Sequence, residues 1–184
     1  MKSEPRLWAV LGSCVFALGL TAGCVMAPLS HLGGIMVDRW AEVNTDDKTM
    51  AEILAAFNGA EEGVRIGDLE KVMAIYSQNC RYHGMTKADL RTIWEAVFAE
   101  YHGLNSNHIL TPVVVRSNGQ RTAEITCSGS LYGVSKKTGE LANVDSWYGE
   151  VHHVVYEEGA WRVEGHKGEV AKALPFGVAP HPFF

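Results

Sequence analysis

The order of periodicities along the chain predicts an α+β fold, with helices first and an antiparallel sheet after them. Three observations carry this. Between residues 46 and 103, apolar side chains recur at spacings of three, four and seven, the repeat of an amphipathic helix. Between residues 108 and 170, runs of strand length follow one another at hairpin spacing, separated by short turn sequences. Gly103 breaks the chain where one pattern gives way to the other.

The first residues do not belong to that fold. Lys2 and Arg6 give a positive start, and Leu7 to Leu20 is a 14-residue apolar stretch. That is short of the ~20 residues that span a bilayer, and it fits the apolar region of a secretory signal peptide. Thr21-Ala22-Gly23-Cys24 closes the stretch with small residues and a cysteine, resembling a bacterial lipobox. Thr21 stands where that motif most often has leucine. The resemblance implies cleavage after Gly23 and lipidation of Cys24. With Val25 next, it implies the periplasmic face of the outer membrane.

Removing residues 1–23 leaves 161 residues, enough for one ordinary core. It also removes Lys2, Arg6 and Glu4, so the net charge becomes (16 − 2) − (21 − 1) = −6. An acidic chain without a Lys/Arg cluster is not built for nucleic acid, nor for a polybasic grip on lipid. Membrane attachment then rests on the acyl chains. Of the four cysteines, Cys14 leaves with the signal and Cys24 carries lipid. Cys80 and Cys127 remain, either as a disulfide or as two small buried side chains.

Residues 24–47 show no sustained period and read as a tether, although Ile35, Met36, Val37 and Trp40 would also suit a short docking segment. Asp46 or Asp47 caps the first helix, whose apolar face is Met50, Ile53, Leu54, Phe57 and Val64, and Gly67 ends it. Asp68 caps a shorter helix burying Leu69, Val72, Met73 and Tyr76. Cys80 to His83 reads as a short strand. Thr86 with Asp89 forms a capping box for the third helix, where Leu90, Ile93, Trp94, Val97, Phe98 and Tyr101 make one stripe up to Gly103. Four strands follow, near 108–116, 121–134, 140–157 and 160–170, turning at Asn118-Gly119, Lys136 to Gly139 and Glu158-Gly159. Residues 171–184 carry Pro175, Gly177, Pro180 and Pro182 and read as a surface tail.

Two phrases sharpen the fold. Gly67-Asp68-Leu69-Glu70-Lys71-Val72-Met73-Ala74-Ile75-Tyr76-Ser77 is similar to the second helix of the nuclear transport factor 2-like superfamily, which includes the SnoaL-like and ketosteroid-isomerase branches. Glu158-Gly159-Ala160-Trp161-Arg162-Val163-Glu164-Gly165-His166 resembles its closing strand. The resemblance covers residues 48–170. It implies a cone-shaped curved antiparallel sheet covered by three N-terminal helices, a conical pocket, and a homodimer through the outer sheet face. The link Gly84-Met85-Thr86 is shorter than the rim loop of many relatives.

Enzymes of that superfamily work mostly by acid/base catalysis in an apolar pocket. The candidates are Asp145 as base, with His83 or Tyr82 as acid or orienting partner. Trp94, Phe98, Tyr101 and Trp147 are candidates to line the pocket. Each has a plainer reading: Asp145 as a solvated sheet residue, His83 as a turn residue, the aromatics as core. Alternation puts Asn143, Asp145, Trp147 and His153 on one face of their strand, and Ala142, Val144, Ser146, Tyr148, His152 and Val154 on the other. A bulge in so long a strand would exchange the faces partway. His152 and His153 point to opposite sides, and no ligand set accompanies them, so neither a metal nor a cofactor is expected. The expected function is a lipid-anchored envelope domain that binds a small apolar or amphipathic molecule, or a protein partner, without catalysis. The alternatives are an isomerase, cyclase or dehydratase acting on a small hydrophobic substrate, or an envelope assembly module.

Overall fold

A computed structural model describes residues 34–166 apart from His83, all within a unit spanning residues 32–184. The elements run β1 (Gly34–Asn44), α1 (Asp47–Ile66), α2 (Leu69–Met73), β2 (Tyr76–Tyr82), β3 (Met85–Thr86), α3 (Lys87–Glu100), β4 (Tyr101–Asn118), β5 (Gln120–Ser135), β6 (Leu141–Glu157) and β7 (Ala160–His166). The strands form one curled, unclosed sheet in the order β1-β4-β5-β6-β7-β2-β3.

Local chemistry sets the helix ends. Asp46 accepts from the Thr49 backbone N–H at 2.7 Å, and Gly67 closes α1 with φ 74°. Asp68 caps α2 through the Lys71 N–H at 3.0 Å. Thr86 and Asp89 satisfy each other's backbone donors, completing the capping box of α3. The buried face of α1 is Ile53, Phe57, Ala60 and Val64, packed with Val72, Leu110, Ile125, Trp161 and Val163 into one core.

Three expectations change. Residues 34–44, read as part of a tether, form an edge strand running parallel to β4, with Gly34 opposite Asn107 and Val43 opposite Val113. Trp40 and Met36 stay exposed on it. The short strand expected at Cys80 begins at Tyr76, so Tyr76 packs from the sheet rather than from the second helix. The third helix ends at Glu100, and Tyr101 already belongs to β4.

The four-strand meander is present as β4 to β7, but three further strands extend it on both sides. At Asn118-Gly119 the strands pair until Asn118 faces Gln120, leaving Gly119 alone at the tip. The two-residue turn is instead Glu158-Gly159, with φ 50° and 81° and with Glu157 opposite Ala160.

Candidate functional site

Strand register decides which side chains share the concave face under α1. Leu110 and His108 of β4 stand opposite Cys127 and Gly129 of β5, and Ser106 stands opposite Leu131. Across β5 and β6, Leu131 faces Asp145 and Gly129 faces Trp147, then Cys127 faces Glu150 and Ile125 faces His152. Two irregularities produce this pattern. One lies at Gly149, whose φ is 66°, and puts Glu150 and His152 in phase with Trp147. His153 is thereby sent to the outer face, where its Nε2 lies 3.6 Å from Glu124. The other separates Asn143, opposite Tyr132, from Asp145. Neither face of the strict alternation survives intact.

Gly129 holds this row together. A Cβ there would overlap the Asn107 carbonyl oxygen and come within 2.5 Å of the Trp147 ring. Gly129→Ala is therefore expected to cost about 2–3 kcal/mol of stability by overpacking. Urea unfolding measures this, and a loss below about 0.5 kcal/mol would mean that Trp147 does not rest on that backbone.

Glu61 of α1 reaches into the same row. Its Oε1 is 2.7 Å from His108 Nε2, with His108 1% and Glu61 11% exposed. Ser106 Oγ donates a short hydrogen bond to the other carboxylate oxygen. On the far side of the imidazole, Nδ1 lies 3.4 Å from Cys127 Sγ. Trp147 Nε1 donates to the same sulfur at 3.4 Å, and its ring lies 4.8 Å from that of His108. Burial works against charge on His108, but the Cys127 sulfur and the Glu61 carboxylate outweigh it and push the imidazole up to about 9.

A second buried pair stands beside this cluster on β2 and β6. Tyr82 Oη is 3.1 Å from His152 Nδ1, with the rings stacked 5.9 Å apart, and Phe57 of α1 lies 6.4 Å from the same imidazole. Burial, with the Glu150 charge second, pushes the Tyr82 phenol well above its ordinary range.

The structure distributes the candidate residues over several places. Asp145 and Trp147 lie on the concave row, opposite Leu131 and Gly129. Asp145 is half-buried, and its Oδ1 accepts from the Ser146 N–H at 2.8 Å. Tyr82 is fully buried at its pair with His152. Trp94 is core: it donates from Nε1 to Tyr76 Oη at 3.0 Å and meets Phe98 at 5.7 Å. Tyr101 packs at the start of β4, where a Cβ on Gly133 would meet it. Cys80 and Cys127 are both buried free thiols, so the disulfide option is not taken. His83 and Cys24 lie outside the described residues.

Sequence reading missed Glu61, Ser106 and His108. Glu61 sits four residues after Phe57 and three before Val64, a carboxylate inside the apolar stripe. His108 alternates in phase with Ser106 and Leu110. Those were the available signals.

Two open clefts lie elsewhere and hold none of the candidates. One, of about 490 Å³, includes Asp46, Glu52 and Arg121; the other, of about 580 Å³, includes Glu70, Arg81, Lys87 and Arg91. Among the described residues, no group of three or more His, Cys, Asp or Glu side chains is placed to hold a metal ion.

No family model and no curated protein matches the chain. Solved structures do. A conserved protein from Planctomyces limnophilus superposes with a TM-score of 0.56 at 10% identity, covering 65% of this chain and 94% of that one. A scytalone dehydratase-like protein from Novosphingobium aromaticivorans gives 0.53 at 14% identity, covering 72% and 95%. A ketosteroid isomerase-like protein from Erwinia carotovora gives 0.50 at 18% identity, covering 65% and 94%. At such identities the likeness is one of fold.

Proposed function

We propose that this chain, which has the nuclear transport factor 2-like cone fold, binds a small amphipathic molecule on its concave face, held at the cell envelope by acyl chains on Cys24. The observation that carries the reading is the buried pair of Glu61 and His108 at 2.7 Å, set among Ser106, Cys127, Trp147 and the half-buried Asp145. A core built only for stability gains little from such a pair, because desolvating two charges offsets their attraction. Convergent polar groups within apolar walls are what recognises the polar end of a small ligand. Trp147, Leu131 and Phe57 suit its apolar body.

A second reading is favoured by the same pair. A charged imidazole beside a carboxylate is an acid beside a base, the equipment of an isomerase or dehydratase. The solved neighbours named for dehydration and isomerisation supply the analogy, and fold alone does not transfer activity. The outer face exposes Tyr148, Leu141 and Tyr132, a surface suited to a second copy of the chain. No helix among the described residues is long and apolar enough to cross a membrane.

Native mass spectrometry of the protein from its producing cell tests this reading. The expected spectrum shows a dimer carrying a co-purifying small molecule, which is lost on denaturation. Bare protein at every charge state removes the ligand reading, and a monomer alone removes the self-association. Cys24→Ala should leave the membrane fraction; if it still partitions with membranes, the anchor is wrong.

A further inference from the structure

Three cations that are separate in the sequence meet in the open cleft of about 580 Å³. Arg81 comes from β2, and Lys87 and Arg91 stand one turn apart on α3. Spaced six and four residues apart, they make no basic run in the chain. Like charges at that helical spacing repel each other, so the fold gathers them against their own charge. Glu70 of α2 is the one anion among the described residues that line the cleft. Against three cations it leaves two positive charges there, in a chain whose net charge is −5.

Each cation is held in place by a contact of its own. Lys87 Nζ donates to the Tyr76 carbonyl at 2.7 Å, and Arg81 donates to the Cys80 carbonyl at 2.9 Å. Arg91 donates from two nitrogens to the Glu70 carboxylate at 2.7 and 2.8 Å, which sets the plane of its guanidinium. An ammonium carries three donors and a guanidinium five, more than these contacts take up. Burial, with the Arg162 charge second, holds Lys87 below its ordinary range, and an anion beside it would oppose that shift. The end of α3 is not itself the site. Asp89 closes it, accepting from the Thr86 N–H and Oγ–H at 2.7 Å each.

We propose that this cleft binds the head of a small phosphate monoester, with Arg81 and Lys87 on the phosphate oxygens and Arg91 held at the wall by Glu70. The class follows from charge and shape. A phosphate monoester carries about two negative charges at neutral pH, matching the two left unbalanced in the cleft, whereas a carboxylate carries one. A guanidinium and an ammonium are the usual partners of phosphate oxygens. Met73, Ala74 and Ala88 line the rest of the cleft and suit the organic group of the ester. The cleft shares no residue with the concave row, and the inference rests neither on a ligand there nor on the lipid anchor.

The test is isothermal titration calorimetry of the full-length protein in mild detergent with phenyl phosphate, at about pH 7.5 so that the ester is a dianion. Saturable binding is expected. Arg81→Gln and Lys87→Gln should each weaken it by at least about tenfold, the loss of one charge-assisted hydrogen bond. Lys48→Gln, in the other cleft, should leave it unchanged. Benzoate keeps the ring but carries one charge, and should bind at least about tenfold more weakly. If Lys87→Gln fails to fold, the exposed Arg81 still decides. No saturable heat up to about 10 mM phenyl phosphate, an affinity that Arg81→Gln leaves unchanged, an equal loss in Lys48→Gln, or benzoate binding as tightly each overturns the proposal. Micelles carrying phosphatidic acid, added as competitor, separate two sources of the phosphate. Displacement of phenyl phosphate by them, and not by plain micelles, upholds the site for a lipid headgroup. Binding of phenyl phosphate without such displacement upholds it for a soluble ester.

Discussion

Glu61→Ala, with His108 left in place, is expected to lower folding stability by about 3–5 kcal/mol. The imidazole is 1% exposed and sits against the Trp147 ring, so it has no water to turn to when the carboxylate is gone. It must then either hold an uncompensated buried charge or give up its proton, and both routes cost free energy. Ser106 Oγ loses its acceptor in the same substitution. Removing both charges at once should behave differently. Glu61→Leu combined with His108→Leu replaces the pair by apolar volume, and such exchanges are often neutral or stabilising. Urea unfolding of the single and double variants gives the comparison. A single variant that loses less than about 1 kcal/mol would mean that the pair is solvated in the folded protein. A double variant as damaged as the single would mean that the volume, rather than the charge, is what the site requires.

The parts of this fold that were legible in the sequence are those decided within a few residues. The caps at Asp46, Asp68 and Thr86 satisfy donors three positions away, so each could be read from neighbouring residues alone. Edge strand β1 was not legible, because its strand partner among the described residues is β4, more than sixty residues on, and nothing in 34–44 alternates. The site was partly legible for a related reason. Asp145 and Trp147 could be paired by alternation, but their company could not. A one-residue bulge at Gly149 exchanged His153 for His152 on the concave face. Glu61 was hidden by the rule that found its helix. A stripe scored on apolar residues passes over the carboxylate lying in the middle of it, and such a residue is the better guide to function.

The stability of the unaltered protein is expected to fall as pH rises from about 6.5 to above 9. His108 is held at about 9 in the folded chain against 6.5 ordinarily, with burial opposing the rise and the Cys127 sulfur and Glu61 producing it. The folded state therefore binds this proton more tightly than the unfolded state. The sign follows: the contribution is present in full below pH 6.5 and is lost as pH rises through about 9. One unit corresponds to about 1.4 kcal/mol, so the loss is on the order of 3 kcal/mol. Asp145 and Glu150 lie on the same row as the pair. Other groups titrate near its upper end, and they are common to the unaltered protein and to His108→Gln. The difference between their two stability–pH curves isolates the imidazole. It should be flat below pH 6 and should close between 7 and 9 as the unaltered protein loses its advantage. Parallel curves would place His108 as a neutral ring, and the pair with Glu61 would then be a hydrogen bond between an uncharged imidazole and a carboxylate.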